Sequence, residues 1–410
     1  MNDAELRRLV RRASLTEEGE AGLRSWEVVR AAFEEREPAP RRRHHARALA
    51  LAAAALALVA ATLSPPGRAL VGSIRAAVAP NAPTRIRAAA PALFSLPTRG
   101  RILVNSSRGP GVVQANGSRR RLGPYGEATW SPRGLYVAAT RGRTLLALEP
   151  DGDVRWSLAR PSPVRRPRWS PSGYRIAYLS GGLRVVAGNG EDDRRLDGPA
   201  EAFAWRPGER HVLAYGDRDG RVRVVDADSG EWLWRSPSDG RPASSLRGIE
   251  WSADGRRLLV GEQTVPARLD GRRFRLPPQR LVLYDGRGRL VRTLHLGRDR
   301  EVGSATFARR GYGFAYTDYE PLSNTGRVVL IDGDTGAERI LFRGRGRLED
   351  ATWSPDGRWL LAGWPDANQW LFLRAPGVGR IAAVSGIAGS FDPAAGGGAL
   401  FPQIAGWCCP

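Results

Sequence analysis

Two hydrophobic patterns divide the chain. Upstream, Ala48 to Leu63 is one uninterrupted uncharged run of Ala and Leu with Val59 and Thr62. Downstream, apolar residues come in short strands such as Ile176-Ala177-Tyr178-Leu179 and Trp359-Leu360-Leu361-Ala362, separated by Gly, Pro and Asp turns. The first pattern is apolar all round and near the lower length limit for a bilayer span. The second predicts a domain built of strands. Arg41-Arg42-Arg43-His44-His45 and Arg47 precede the run, which by the positive-inside rule puts the N-terminus in the cytoplasm and the strands outside. A cleaved signal peptide is the competing reading; the long segment before the run favours an uncleaved signal anchor. In that segment Trp26, Val29 and Phe33 form an apolar stripe on a predicted helix that Pro38-Ala39-Pro40 stops, and Leu6, Leu9 and Val10 mark a shorter one. Beyond the span, Arg68 to Val78 is amphipathic and suits the outer membrane surface. The layout expected is a cytoplasmic helical stub (1–45), a signal anchor (46–64), a juxtamembrane helix and linker (65–98) and an extracytoplasmic domain (99–410).

That last domain repeats itself. Trp130-Ser131-Pro132-Arg133-Gly134, Trp169-Ser170-Pro171-Ser172-Gly173, Trp205-Arg206-Pro207-Gly208, Trp251-Ser252-Ala253-Asp254-Gly255 and Trp353-Ser354-Pro355-Asp356-Gly357 are copies of one phrase, with Phe307-Ala308-Arg309-Arg310-Gly311 a weaker copy. The aromatics stand 39, 36, 46, 56 and 46 residues apart. Each phrase leads into a short apolar strand, and a further strand ends at an acidic turn, as in Val224-Val225-Asp226 or Leu330-Ile331-Asp332. Four strands in about 40 residues is the period of a propeller blade. The aromatic suits packing between sheets, Ser-Pro bends the chain out of its strand, and Asp-Gly or Ser-Gly makes the turn. Arg101 to Asn105 and Gly111 to Gly117 match the second and third strands of a further blade, and Phe391-Asp392-Pro393 resembles its missing first-strand phrase. The expected fold is an all-β propeller of four-stranded blades, seven if the last is closed by both ends of the domain and six otherwise.

These repeats resemble the WD-like propeller repeats of the Tol system's periplasmic propeller protein and of prolyl-oligopeptidase-type peptidases. The resemblance implies a binding platform, gating domain or sensor, and no single activity. The layout of stub, span and propeller also looks like single-pass proteins of high-GC bacteria and, in outline, membrane anti-sigma factors; the zinc-binding His and Cys pair of one anti-sigma class is absent.

Charge alters this picture less than its size suggests. The net charge is +21, and every basic residue is arginine. Most of the excess falls in 99–410, outside the cell on the expected topology, where anionic headgroups or wall polyanions are more fitting partners than nucleic acid. Replacement of all lysine by arginine is what a GC-rich genome produces. Catalytic chemistry is thin: no Gly-x-Ser-x-Gly occurs, and His211 and His295, the two histidines away from the span, read as blade surface. The Asp-rich turns at Asp217, Asp226 and Asp332 lack the Glu that completes a calcium loop, so no metal, cofactor or catalytic residue is expected. Cys408 and Cys409 are adjacent, where a disulfide between the two is strained and uncommon; free thiols, a link to another chain and a redox-sensitive tail are left open.

The candidate binding residues lie where the loops between second and third strands depart from the repeat. They are Arg268, Arg272, Arg273, Phe274 and Arg275 in the repeat anchored at Trp251, Asp318, Tyr319 and Glu320 in the next, and Trp364, Asp366 and Asn368 in the last. Converging on one rim, such aromatics and charges suit an anionic ligand or an envelope protein. The reading is a non-enzymatic binding or sensing module. Its alternatives are an anti-sigma-like regulator whose stub meets a cytoplasmic partner, an envelope scaffold, and a propeller-based hydrolase or lyase.

Overall fold

In the computed structural model the described residues are 95–409 apart from 199, 201, 209, 238–243, 265–278, 298 and 376–380. The predicted stub, span and most of the juxtamembrane segment lie outside them. Among the described residues no helix is long and apolar enough to cross a membrane.

Seven four-stranded antiparallel sheets make a seven-bladed propeller. In each blade we letter the strands a to d in sheet order. The a strands of blades 2 to 7 are Ala128–Trp130, Arg165–Trp169, Phe203–Trp205, Ser244–Trp251, Glu301–Phe307 and Glu349–Trp353. Blade 1 joins Gln403–Cys408 as strand a to Arg101–Ser106, Gly109–Val113 and Arg119–Arg121. The a strands of successive blades approach one another and so surround the axis. Turns a–b and c–d gather on one face, and loops b–c and d–a on the other.

A single sheet exposes two apolar faces, and stacking buries them. Each pair of neighbouring blades shares one core cluster, seven in all. The repeated aromatic ends strand a and sits in that cluster: Trp130 pairs in register with Val137, Trp251 with Leu258, Phe307 with Phe314 and Trp353 with Leu360. The serine after it holds the turn. Ser131, Ser170, Ser252 and Ser354 each accept, through Oγ, the N–H of the residue five positions on, at 2.9 to 3.0 Å.

The seventh aromatic is Trp407, opposite Ile102 and buried between blades 7 and 1. This corrects the expectation placed on Phe391-Asp392-Pro393. Phe391 ends a short helix, Ile387–Phe391 (α1), and leans on Trp370 of blade 7 at 5.6 Å between ring centres. Asp392 accepts the Ser107 hydroxyl at 2.7 Å, next to blade 1. Strands b and c of blade 1 fall where the sequence predicts them. In place of Ser-Pro after the seventh aromatic stand Cys408 and Cys409, joined by a disulfide.

The axis-facing edge of strand a has N–H groups that no ladder satisfies, and an orphaned buried donor is costly. The preceding blade supplies acceptors. Asn105 Oδ1 takes Ala128 N at 3.0 Å, Glu127 Oε2 takes Arg166 N at 2.6 Å, Ser304 Oγ takes Ala351 N at 2.7 Å, and Asp350 Oδ2 takes Ile404 N at 3.1 Å. Glu250 accepts from both Phe307 N and Thr306 Oγ1 at 3.0 Å.

Burial pushes Glu250 up to about 7, against the pull of its Phe307 and Thr306 bonds, and pushes Asp350 up to about 6. Both folded values lie above the ordinary carboxylate range. The folded chain therefore holds protons that the unfolded chain releases, and stability falls as pH rises from about 4 to about 7. Glu250→Gln keeps an acceptor without the charge. It is expected to raise the melting temperature at pH 8 by roughly 3 °C and to change little at pH 5. Equal shifts at the two pH values in a scanning-fluorimetry series would contradict this.

Candidate functional site

The site begins with a device repeated in four blades. The c strands Leu183–Ala187, Val222–Asp226, Gln279–Asp285 and Thr325–Ile331 carry Arg184, Arg223, Arg280 and Arg327. Each is paired with a sequestered acid: Asp193, Asp217, Glu262 and Asp318 respectively. A guanidinium offers five donors, and most of these acids take a second arginine: Arg160 on Asp193, Arg235 on Asp217, Arg300 on Asp318. Seven arginines of this domain are thus neutralised within the blades.

On the rim of blades 6 and 7 these pairs support an exposed layer. Asp318 is interior, 1% exposed, and anchors Arg300 and Arg327. Glu320 takes the other arm of Arg300 at 2.6 Å. Arg347, in the loop from blade 6 to blade 7, pairs with Glu301 and lies 4.4 Å over the Tyr319 ring. Its backbone N–H donates to Asp366 Oδ2 at 2.9 Å. Asp366 can come so close because the preceding residue in that loop is Gly346, at φ +92°, where a Cβ would fall 2.3 Å from Asp366 Oδ2. Trp364 donates through Nε1 to Arg345 O at 2.8 Å and meets Phe342 edge-on at 5.1 Å. Beside this layer Leu322 is 91% exposed at the loop tip.

The structure therefore brings together Asp318, Tyr319, Glu320, Trp364 and Asp366. Asn368 serves elsewhere: its Oδ1 accepts Ala388 N at 2.7 Å and its carbonyl accepts Gly386 N at 3.0 Å, which seats the start of α1. Arg268, Arg272, Arg273, Phe274 and Arg275 lie outside the described residues. The unpredicted member is Arg347, hidden among Arg343, Arg345 and Arg347, whose spacing does not say which is clamped.

A second cluster escaped the sequence entirely. On the a–b face, Ser172 Oγ lies 2.9 Å from His211 Nε2, and His211 Nδ1 lies 2.5 Å from Asp228 Oδ2. The three residues come from separate turns of blades 3 and 4, each ordinary in its own repeat. Burial alone would raise Asp228, but bonds from His211 and Arg175 carry it below the usual carboxylate value. An ionised Asp228 fixes the His211 tautomer and aims the Nε2 lone pair at the serine, which is the geometry of a nucleophilic triad. The local context is that of a turn: Ser172 also accepts Tyr174 N at 3.2 Å and occupies the place of Asp254 and Asp356 in the repeated phrase. The acidic turns behave similarly, since Asp226 and Asp332 each accept two N–H groups of their own loops.

No family model matches the chain, and no curated protein matches it in sequence. Solved structures similar to it include the Kuenenia stuttgartiensis hydrazine synthase, at 16% identity and a TM-score of 0.49 over 60% of this chain and 75% of that one. Another is the β-propeller domain of Myceliophteria thermophila Cps50 (Swd1), at 14% identity and a TM-score of 0.47 over 63% and 86%. Likeness at this level carries nothing about chemistry. What stands is the fold, a seven-bladed β-propeller, an architecture that commonly serves as a protein-binding module.

Proposed function

We propose that the chain is a membrane-anchored, extracytoplasmic propeller acting as a non-enzymatic binding or sensing module. Its receptor face is the rim of blades 5 to 7, and its N-terminal segment is the cytoplasmic output, in the manner of an anti-sigma-like regulator or an envelope scaffold. The observation that carries the binding face is the layer of Tyr319, Arg347, Trp364 and Phe342, with Leu322 exposed in the loop that follows Tyr319. Tyr, Trp and Arg dominate binding hot spots, and here an ion pair on Arg347 and hydrogen bonds from Trp364 and Tyr319 hold them in place before a partner arrives. The uncharged run at Ala48 to Leu63 and the arginines before it support the anchoring.

The test is site-specific photocrosslinking of the full chain in cells. A crosslinker at position 322 is expected to give a discrete adduct that weakens on Arg347→Ala. The same group at Leu290, 61% exposed on an outer strand, is expected to give none. Adducts of equal yield at both positions would end this assignment.

The hydrolase reading has one specific observation in its favour, the Ser172–His211–Asp228 array. A fluorophosphonate probe on the full chain decides it. Labelling that disappears in Ser172→Ala establishes a nucleophile, and absence of labelling leaves the array as a clasp between blades 3 and 4.

A further inference from the structure

On the a–b face the central channel opens into a cavity of about 640 Å³, a size typical of small-molecule sites. Its wall forms where the ring closes, from Trp130, Arg133, Arg309, Pro355, Trp407 and the Cys408–Cys409 disulfide, and no carboxylate is part of it. Arg309 breaks the repeat, since Pro132, Pro171 and Pro355 hold that place in other blades. Its side chain leaves blade 6 and donates through Nη2 to the carbonyls of Trp353 and Trp407, at 3.4 and 3.3 Å. Those bonds fix the guanidinium plane, while Nε and Nη1 have no partner among the described residues.

This sets Arg309 apart from Arg184, Arg223, Arg280 and Arg327, each of which has a carboxylate within ion-pair distance. It is exposed to the channel, and partial desolvation by the blades around it lowers its pKa from the ordinary value. Arg168, on the a strand of blade 3, is likewise exposed with its pKa lowered by desolvation, and Glu250 acts on both from a distance. With Nη2 held by two carbonyls, Nη1 and Nε keep N–H groups that can each donate to an oxygen of a carboxylate or phosphate.

We infer that this mouth is a binding site for a small organic anion, a carboxylate or phosphate on an apolar body. Arg309 grips the charge, Arg133 reinforces it from blade 2, and proline, tryptophan and the disulfide cover the body. The site lies on the opposite face from the rim, so either can fail without the other.

Isothermal titration of the full chain with benzoate and with phenyl phosphate tests it, with benzamide as the neutral control. One or both anions are expected to bind saturably at one site, and benzamide not at all; whichever binds tighter identifies the headgroup. Arg309→Gln is expected to weaken binding at least tenfold, Arg133→Gln severalfold, and Arg289→Gln, on an exposed turn, not at all. Should Arg309→Gln fail to fold, Arg133→Gln decides. The inference falls if neither anion binds saturably, if benzamide binds as well as benzoate, or if the folded channel variants bind like the parent.

Discussion

Removing residues 403–410 is expected to abolish the cooperative unfolding transition of the whole propeller, not of one blade. Those residues are strand a of blade 1, and they pair with Arg101–Ser106 across the point where the ring closes. Without them the inner edge of blade 1 is bare. Trp407 no longer fills the cluster it shares with Ile102, Trp370 and Phe372, and the N–H that Asp350 takes from Ile404 is gone. Each other blade is held by two neighbours, so an open ring frays from both sides of the break. Trp407→Ala isolates the packing component. Truncating a buried tryptophan costs about 3–5 kcal/mol, which in a domain of this size is a drop of roughly 10 °C. Calorimetry of the two variants checks both statements. A truncated chain that still melts in one sharp transition near the parent temperature would show that closure is not what holds the ring.

The second large effect is expected at Asp318. Its carboxylate is 1% exposed and receives Arg300 and Arg327 together. Asp318→Asn preserves the shape but leaves two guanidinium groups sharing a neutral amide in a sequestered place, and breaking a buried pair in this way costs about 3–5 kcal/mol. Glu320 still holds one arm of Arg300, so the lower end of that range is the expectation. Asp366→Asn, which touches only a loop N–H, should cost no more than about 1 kcal/mol. Urea denaturation of the pair separates them by midpoint. If both variants unfold at the same concentration, the acid–arginine clamps are ornaments of the rim and not its foundation.

How far the sequence reached depended on what kind of signal each residue carried. Six of the seven aromatic anchors were visible because the phrase around them is spelled almost identically, and strands b and c of blade 1 because they keep the alternation of a blade. The seventh anchor was not, since Cys-Cys replaces Ser-Pro after Trp407 and only its register opposite Ile102 reveals the equivalence. Phe391-Asp392-Pro393 carried the right letters in the wrong place: no apolar strand follows it, and Asn368 seats it as a helix. The rim was legible as a set of departures from the repeat, which located Asp318, Tyr319, Glu320, Trp364 and Asp366. The sequence could not tell that Asp318 is interior, or that Arg347 joins the two loops. Ser172, His211 and Asp228 were out of reach because each satisfies a local turn rule, and their meeting depends on how blade 3 lies against blade 4.

The repeated turn has a practical consequence for anyone altering this protein. Seven copies of one structural sentence, written in different residues, form an alignment folded within a single molecule. Any turn that departs from the pattern can be rewritten with its neighbour's wording: Arg309 as the proline of Pro355, Cys408-Cys409 as Ser354-Pro355, Ser172 as the aspartate of Asp254. Such exchanges replace a residue by one already accepted at the same station of the same fold. What they remove is whatever that blade does that its siblings do not.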